Sequence, residues 1–106
     1  MKKILVTEEN CEKVATDLVE SLFGKKLVIV SFFSNSGEPK IVSGVKILSG
    51  FTFDQGRLKI PLTPRRNIFW DVSKERVSLE YEDDGTVVIK RVLGNKGTIF
   101  RVIVAF

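Results

Sequence analysis

The residues of this chain best suited to chemistry are two adjacent arginines, within Thr63-Pro64-Arg65-Arg66-Asn67. A guanidinium is planar, permanently charged and able to give two parallel hydrogen bonds to one oxyanion. Pro61 and Pro64 bracket the segment, and neither can donate to a sheet ladder, so the chain turns a corner there. Net charge points the same way. The chain carries +4 overall, with −2 over residues 1–23 and therefore +6 over the rest. Such a body suits an anionic partner: a phosphate-bearing cofactor, a nucleic acid or an acidic protein. Two plainer roles stand beside this one. The charge keeps a small protein in solution, and Arg65 and Arg66 solvate a helix start, where cations oppose the dipole.

Other chemistries are thinly supplied. With no His, the chain has no imidazole base, no His-based triad and no His-ligated metal. The single Cys11 makes neither an internal disulfide nor a thiolate zinc site. Asp71, Glu75, Glu80, Glu82, Asp83 and Asp84 fall on outer faces or turns, and their spacing pairs no acid with a base, so they read as solvated surface. There is no P-loop, no Gly-rich dinucleotide fingerprint and no nucleophile elbow. The sequence alone singles out no catalytic residue. Redox chemistry, if present, would come from a cofactor held in a pocket.

The elements that must position the basic corner follow from periodicity. One domain is expected from 106 residues. Cys11, Val14, Ala15, Leu18, Val19 and Leu22 recur at helical spacing. Thr7 offers its side-chain oxygen to the first turn and Gly24 supplies the stop, which predicts an amphipathic helix over Thr7–Phe23 with Cys11 in its packed face. Leu27–Phe33 is a nearly continuous apolar strand, expected to be covered on both faces. Asn35-Ser36-Gly37-Glu38-Pro39 turns the chain, and Ile41–Phe53 forms one strand or two, with Gly44 and Gly50 as bends. Asp54-Gln55-Gly56 is a turn, and Arg57–Leu62 returns. Ile68, Phe69 and Val72 recur at near-helical spacing, predicting a short helix over Arg65–Lys74. Val77, Leu79 and Tyr81 alternate as a half-buried strand. Asp83-Asp84-Gly85 turns into a strand over Thr86–Leu93, and Gly94-Asn95-Lys96-Gly97 turns into a last one.

The order of these pieces, with Arg76-Val77-Ser78-Leu79 opening a strand after the basic corner, resembles the pyridoxamine phosphate oxidase-like FMN-binding split barrels. The G-x-P of Gly37-Glu38-Pro39 matches the same family's first hairpin. The resemblance covers roughly Leu27–Leu93. It implies an α+β, mainly β fold: an N-terminal amphipathic helix, a six- or seven-stranded antiparallel split barrel and one short helix, as a single domain over 1–106. It further implies an FMN or deazaflavin cofactor and an oxidoreductase. The cofactor's phosphate would be held by Thr63, Arg65, Arg66, Asn67 and Lys59. Two features depart from the family's pattern. Asn67 stands where the family has a lysine, and Val45 and Gly50 stand where a preceding strand has basic ends; Lys46 falls on the opposite face.

Six aromatics, Phe32, Phe33, Phe51, Phe53, Phe69 and Trp70, exceed what alternate inward positions need. In the neighbouring pairs Phe32-Phe33 and Phe69-Trp70, one ring faces each way, so one of each pair seals a dimer interface, stacks on a planar ligand or simply fills the core. A homodimer is expected, since a chain this short gains by sharing apolar surface. No apolar run reaches membrane-spanning length and no targeting segment opens the chain, so a cytoplasmic protein is expected. Two other readings remain: a cofactor-less split-barrel relative acting as a protein-interaction module, and a small basic barrel binding single-stranded nucleic acid. The latter would use Lys25, Lys26, Lys59, Arg65, Arg66, Lys90, Arg91, Lys96 and Arg101 among the aromatics.

Overall fold

A computed structural model describes residues 2–33, 40–47, 50–94 and 98–105, and among these described residues there are nine strands and one helix. They are β1 Lys2–Val6, α1 Cys11–Leu22, β2 Lys26–Phe33, β3 Lys40–Lys46, β4 Thr52–Asp54, β5 Arg57–Thr63, β6 Arg66–Asp71, β7 Arg76–Tyr81, β8 Val87–Val92 and β9 Thr98–Ala105. The order in the larger sheet is β1-β7-β8-β9-β2-β3, and β4-β5-β6 form a second, three-stranded sheet. Every strand pair is antiparallel. The fold is thus mainly β, as expected, but among the described residues it has one helix where two were anticipated and more strands than the expected six or seven.

Alternation along that sequence puts β1 and β2 parallel to one another, with β7, β8 and β9 between them. Parallel strands need a crossover, and α1 supplies it across one face of the large sheet. Its buried side chains are the six that the helical spacing selects, from Cys11 to Leu22. The helix starts later than expected because Thr7 and Asn10 bond reciprocally. Asn10 N–H donates to Thr7 Oγ1 (3.3 Å) and Thr7 N–H donates to Asn10 Oδ1 (2.7 Å), holding a separate turn ahead of the helix. Gly24, at φ +75°, ends it, and Lys25 N–H donates to the Leu22 carbonyl (3.1 Å).

The remainder of that face is covered by the three-stranded sheet. Leu58, Ile60, Leu62, Ile68 and Trp70 point into a single core with the helix face and with Leu27, Ile29, Val77, Leu79, Val87, Ile89 and Ile103 of the large sheet. Near the helix, burial and the neighbouring Asp17 push the Tyr81 phenol above its ordinary value. Cys11 is buried, its thiol donating to the Glu8 carbonyl (3.3 Å), in line with a packing role.

The expected helix over Arg65–Lys74 is instead strand β6 followed by a turn. Ile68 and Trp70 also fit a period of two, with Asn67, Phe69 and Asp71 on the other side, and pairing with β5 selects that period. The β2–β3 register skips Gly44, which has φ +75°, so the expected bend there is a bulge. Gly50 lies outside any strand. The turns expected at 35–39 and 95–97 lie outside the described residues, as do the rings of Phe32 and Phe33. No helix among the described residues is long and apolar enough to cross a membrane.

The β4–β5 turn is tightly specified. Gln55 and Gly56 both have positive φ (50° and 81°), the geometry of a type I′ hairpin turn. A Cβ on Gly56 would stand 2.5 Å from Val72 Cγ2, whereas a Cβ on Gly24 would meet nothing within 4 Å. Gly24→Ala should therefore cost only the left-handed backbone strain, about 1–2 kcal/mol. Gly56→Ala should cost roughly 1–3 kcal/mol more through the clash. Urea unfolding of both variants checks this; equal losses would mean that Val72 does not pack on the turn.

Candidate functional site

Strict alternation in β5 and β6 sends one set of residues to the core and leaves the other on an outer face. Across the three strands, Thr52, Lys59 and Phe69 stand in one row and Asp54, Arg57 and Asp71 in the next, with Asn67 opposite Pro61. Thr52, Asp54, Arg57, Lys59, Asn67, Phe69 and Asp71, with the intervening residues Leu58 and Trp70, line a groove of about 520 Å³. Asp54 and Arg57 approach within 3.8 Å at the surface, a contact that contributes little to stability. Asp71 is held below the usual carboxylate range, chiefly by the Ser73 hydroxyl, which donates to it at 2.5 Å.

Phe69 is the unusual member. Its ring is 44% exposed on the groove wall, while its neighbour Trp70 is buried, so this pair does face two ways. Two guanidiniums lie over the Phe69 ring, with Arg91 Cζ at 4.2 Å and Arg101 Cζ at 5.6 Å from the centroid. Both arginines sit on the inward-facing rows of the large sheet. Arg101 pairs with Ile89 across β8–β9, and Arg91 pairs with Val77 across β7–β8. From there they reach the open side of β6, where Arg101 Nη1 donates to the Asn67 carbonyl (2.6 Å). The register partner of Asn67 is Pro61, which has no N–H to offer.

Glu75 anchors Arg91. Arg91 Nε donates to Oε1 and Nη2 to Oε2, each at 2.8 Å, and the two side chains are 8% and 4% exposed. Oε1 also accepts from Asp71 N–H (2.8 Å), which ties the end of β6 to the same carboxylate. Arg91 Nη1 is buried with no hydrogen-bond partner among the described residues, and so is Trp70 Nε1. Burial, reinforced by repulsion from Arg91, pushes the Arg101 guanidinium down to about 10.

Of the five site residues expected from sequence, Lys59 and Asn67 line the groove. Thr63, Arg65 and Arg66 lie at the β5–β6 end instead, where Arg65 N–H donates to Thr63 Oγ1 (3.4 Å) and both arginines are exposed. No helix begins there, so the dipole argument about them lapses. Glu75, read as solvated surface, is buried and paired. Arg91, counted among the basic residues of the nucleic-acid reading, is also buried. The signal that could have found the arginine pair is phase: Arg91 continues the inward series Val87, Ile89, and Arg101 precedes Ile103, so each puts a charge on an apolar beat.

No family model matches the sequence, and no curated protein does. Two solved structures are similar in backbone. One is the crystal structure of a protein from Erwinia carotovora, at 9% identity and a TM-score of 0.48, matching 96% of this chain and 62% of that one. The other is the crystal structure of ChuX, at 9% identity and a TM-score of 0.44, matching 94% and 61%. The chain spans about three fifths of the length of the structures it matches. Among the described residues no cluster of acidic, Cys or His side chains could hold a metal ion.

The Glu75–Arg91 pair yields a stability test. Removing one member strands the other in the interior, so Glu75→Ala and Arg91→Ala should each cost about 3–5 kcal/mol. Replacing both by methionine should cost far less than the two single losses combined. Denaturant titrations of the set check this, and single losses below about 1 kcal/mol would place the pair in solvent.

Proposed function

We propose that the groove on the outer face of β4–β6 binds a flat, anionic, ring-bearing ligand, and that FMN is that ligand. The observation that carries the reading is the Phe69 ring, left open on the groove wall and braced from the other strands by Arg91 and Arg101. An exposed aromatic ring that is held in place offers a stacking surface at low entropic cost. Lys59 stands beside it in the same row and offers a cation to the ligand, while Arg57 in the next row stands between Asp54 and Asp71. A groove of about 520 Å³ is within the usual range for small-ligand sites. These residues fit a flavin's demands for a flat apolar contact and positive charge, and the sequence resemblance supplies the choice of FMN. On this reading the two sheets form a split barrel, and the bound flavin would supply any electron transfer, with the chain binding and orienting it.

FMN titration by flavin fluorescence tests the proposal. Phe69→Leu keeps the apolar bulk but removes the π face, and it should weaken binding by about 1–1.5 kcal/mol, roughly tenfold. Lys59→Ala should weaken it less. A wild-type protein with no saturable FMN binding would end the reading.

A homodimer belongs to the same proposal. Val28, Val30, Val88 and Val92 are only half-buried on the outer face of the large sheet, while Leu27 and Ile29 in the same strand are fully buried inside. A second copy laid on these valines would cover the apolar second face of β2. Light scattering should give twice the chain mass at micromolar concentration; the mass of one chain would remove this part.

A further inference from the structure

Arg91 Nη1 is a charged donor that is almost wholly removed from water and lacks a partner among the described residues. Leaving such a donor unmade is expensive, and native proteins fill such positions with a side chain, a water or an ion. Glu75 already takes the other two donors that Arg91 presents on its opposite edge, so it does not serve Nη1. A second guanidinium, Arg101, lies against the same Phe69 ring, and the two cations repel one another where burial has removed much of the screening water. An oxyanion placed there would satisfy the orphan donor and relieve that repulsion together. Phe69 and Asn67, which Arg91 and Arg101 touch, are also groove-lining residues, so the place adjoins the groove.

We propose that a phosphate group binds between Arg91 and Arg101 beside Phe69, and that this pair, not Arg65–Arg66, is the anionic end of the groove. The inference rests on the ligand reading above and adds the subsite that recognises the ligand's charge. It moves the phosphate from an exposed hairpin end, where water competes for every hydrogen bond, to a partly dry position where charge-assisted bonds are stronger. It also makes Phe69 the hinge of the site, with its ring in contact with both cations.

Three probes separate this subsite from the groove itself: FMN, riboflavin (the same ring without the phosphate) and inorganic phosphate. Binding to wild type, Arg101→Gln and the double variant Arg65→Ala/Arg66→Ala is measured by calorimetry. In wild type FMN should bind at least about tenfold more tightly than riboflavin, consistent with one or two charge-assisted bonds. Arg101→Gln should erase that preference, so that the variant binds FMN and riboflavin equally whatever the change in its affinity for the ring, and the double variant should keep it. A preference that survives Arg101→Gln, or that disappears in the double variant, overturns the proposal. Should neither flavin bind, the groove reading falls and inorganic phosphate decides this one alone. Titrated into isotopically labelled wild type, it should shift the Nε–Hε resonances of Arg91 and Arg101 saturably, and those of Arg65 and Arg66 only with bulk ionic strength. No saturable shift of Arg91 and Arg101 at about 20 mM phosphate overturns the proposal, a measurement that stands even if Arg101→Gln does not fold.

Discussion

Glu75 and Arg91 meet through two 2.8 Å hydrogen bonds at a place that water barely reaches, and the rest of the architecture is arranged around keeping them together. Glu75 belongs to the turn that leaves β6, and Arg91 belongs to β8 in the middle of the large sheet. Their bond therefore fixes where the small sheet lies on the large one. The same carboxylate accepts from the Asp71 amide, so the strand end, the turn and the sheet face share one oxygen pair. Buried ion pairs are weak sources of net stability compared with apolar packing, but breaking one strands a charge. The contribution here is to specificity of arrangement. A small sheet shifted along the large one would leave both charges unpaired, so the pair selects a single docking position.

Much of the fold is legible from local pattern because local pattern has local causes. The face of α1 follows from six apolar residues at helical spacing, its end from Gly24, and the Gly44 bulge and the Gln55-Gly56 turn from residues that tolerate positive φ. β6 is harder. Ile68, Phe69, Trp70 and Val72 are compatible with either period, and only the hydrogen bonds offered by β5 settle which one is used. The site divides in the same way. Lys59, Asn67 and the outward ring of the Phe69-Trp70 pair can be read from alternation within one strand. The Glu75–Arg91–Phe69–Arg101 assembly joins residues from β6, the following turn, β8 and β9, and no spacing rule within the chain brings those together. Its one trace in the sequence is a charged residue standing on an apolar beat in each of two strands.

Arg101 also illustrates how a long side chain lets a buried row carry charge. Its backbone position falls on the inward rows beside Ile89, where a short polar residue would be stranded. The length of the side chain lets the head travel to the open side of β6, where it caps the Asn67 carbonyl. An exposed strand edge is a template for unwanted pairing, and a guanidinium seated on a carbonyl of that edge blunts it.

The placement of β7, β8 and β9 between β1 and β2 sets the order in which the molecule can be made. Lys2 finds its register partner at Tyr81, and Leu27 finds one of its partners at Ala105. A chain that has left the ribosome only as far as β6 therefore holds β1 without its β7 neighbour and β2 with one side open. The β4–β5–β6 meander, made of near neighbours in sequence, has no such wait. Closing the large sheet requires long loops to be drawn together before any ladder bond rewards them, which belongs to the slow end of folding rates. The interval between synthesis and closure is when the apolar strand Leu27–Phe33 lies open to other nascent chains, so the hazard of aggregation is greatest for the newly made molecule.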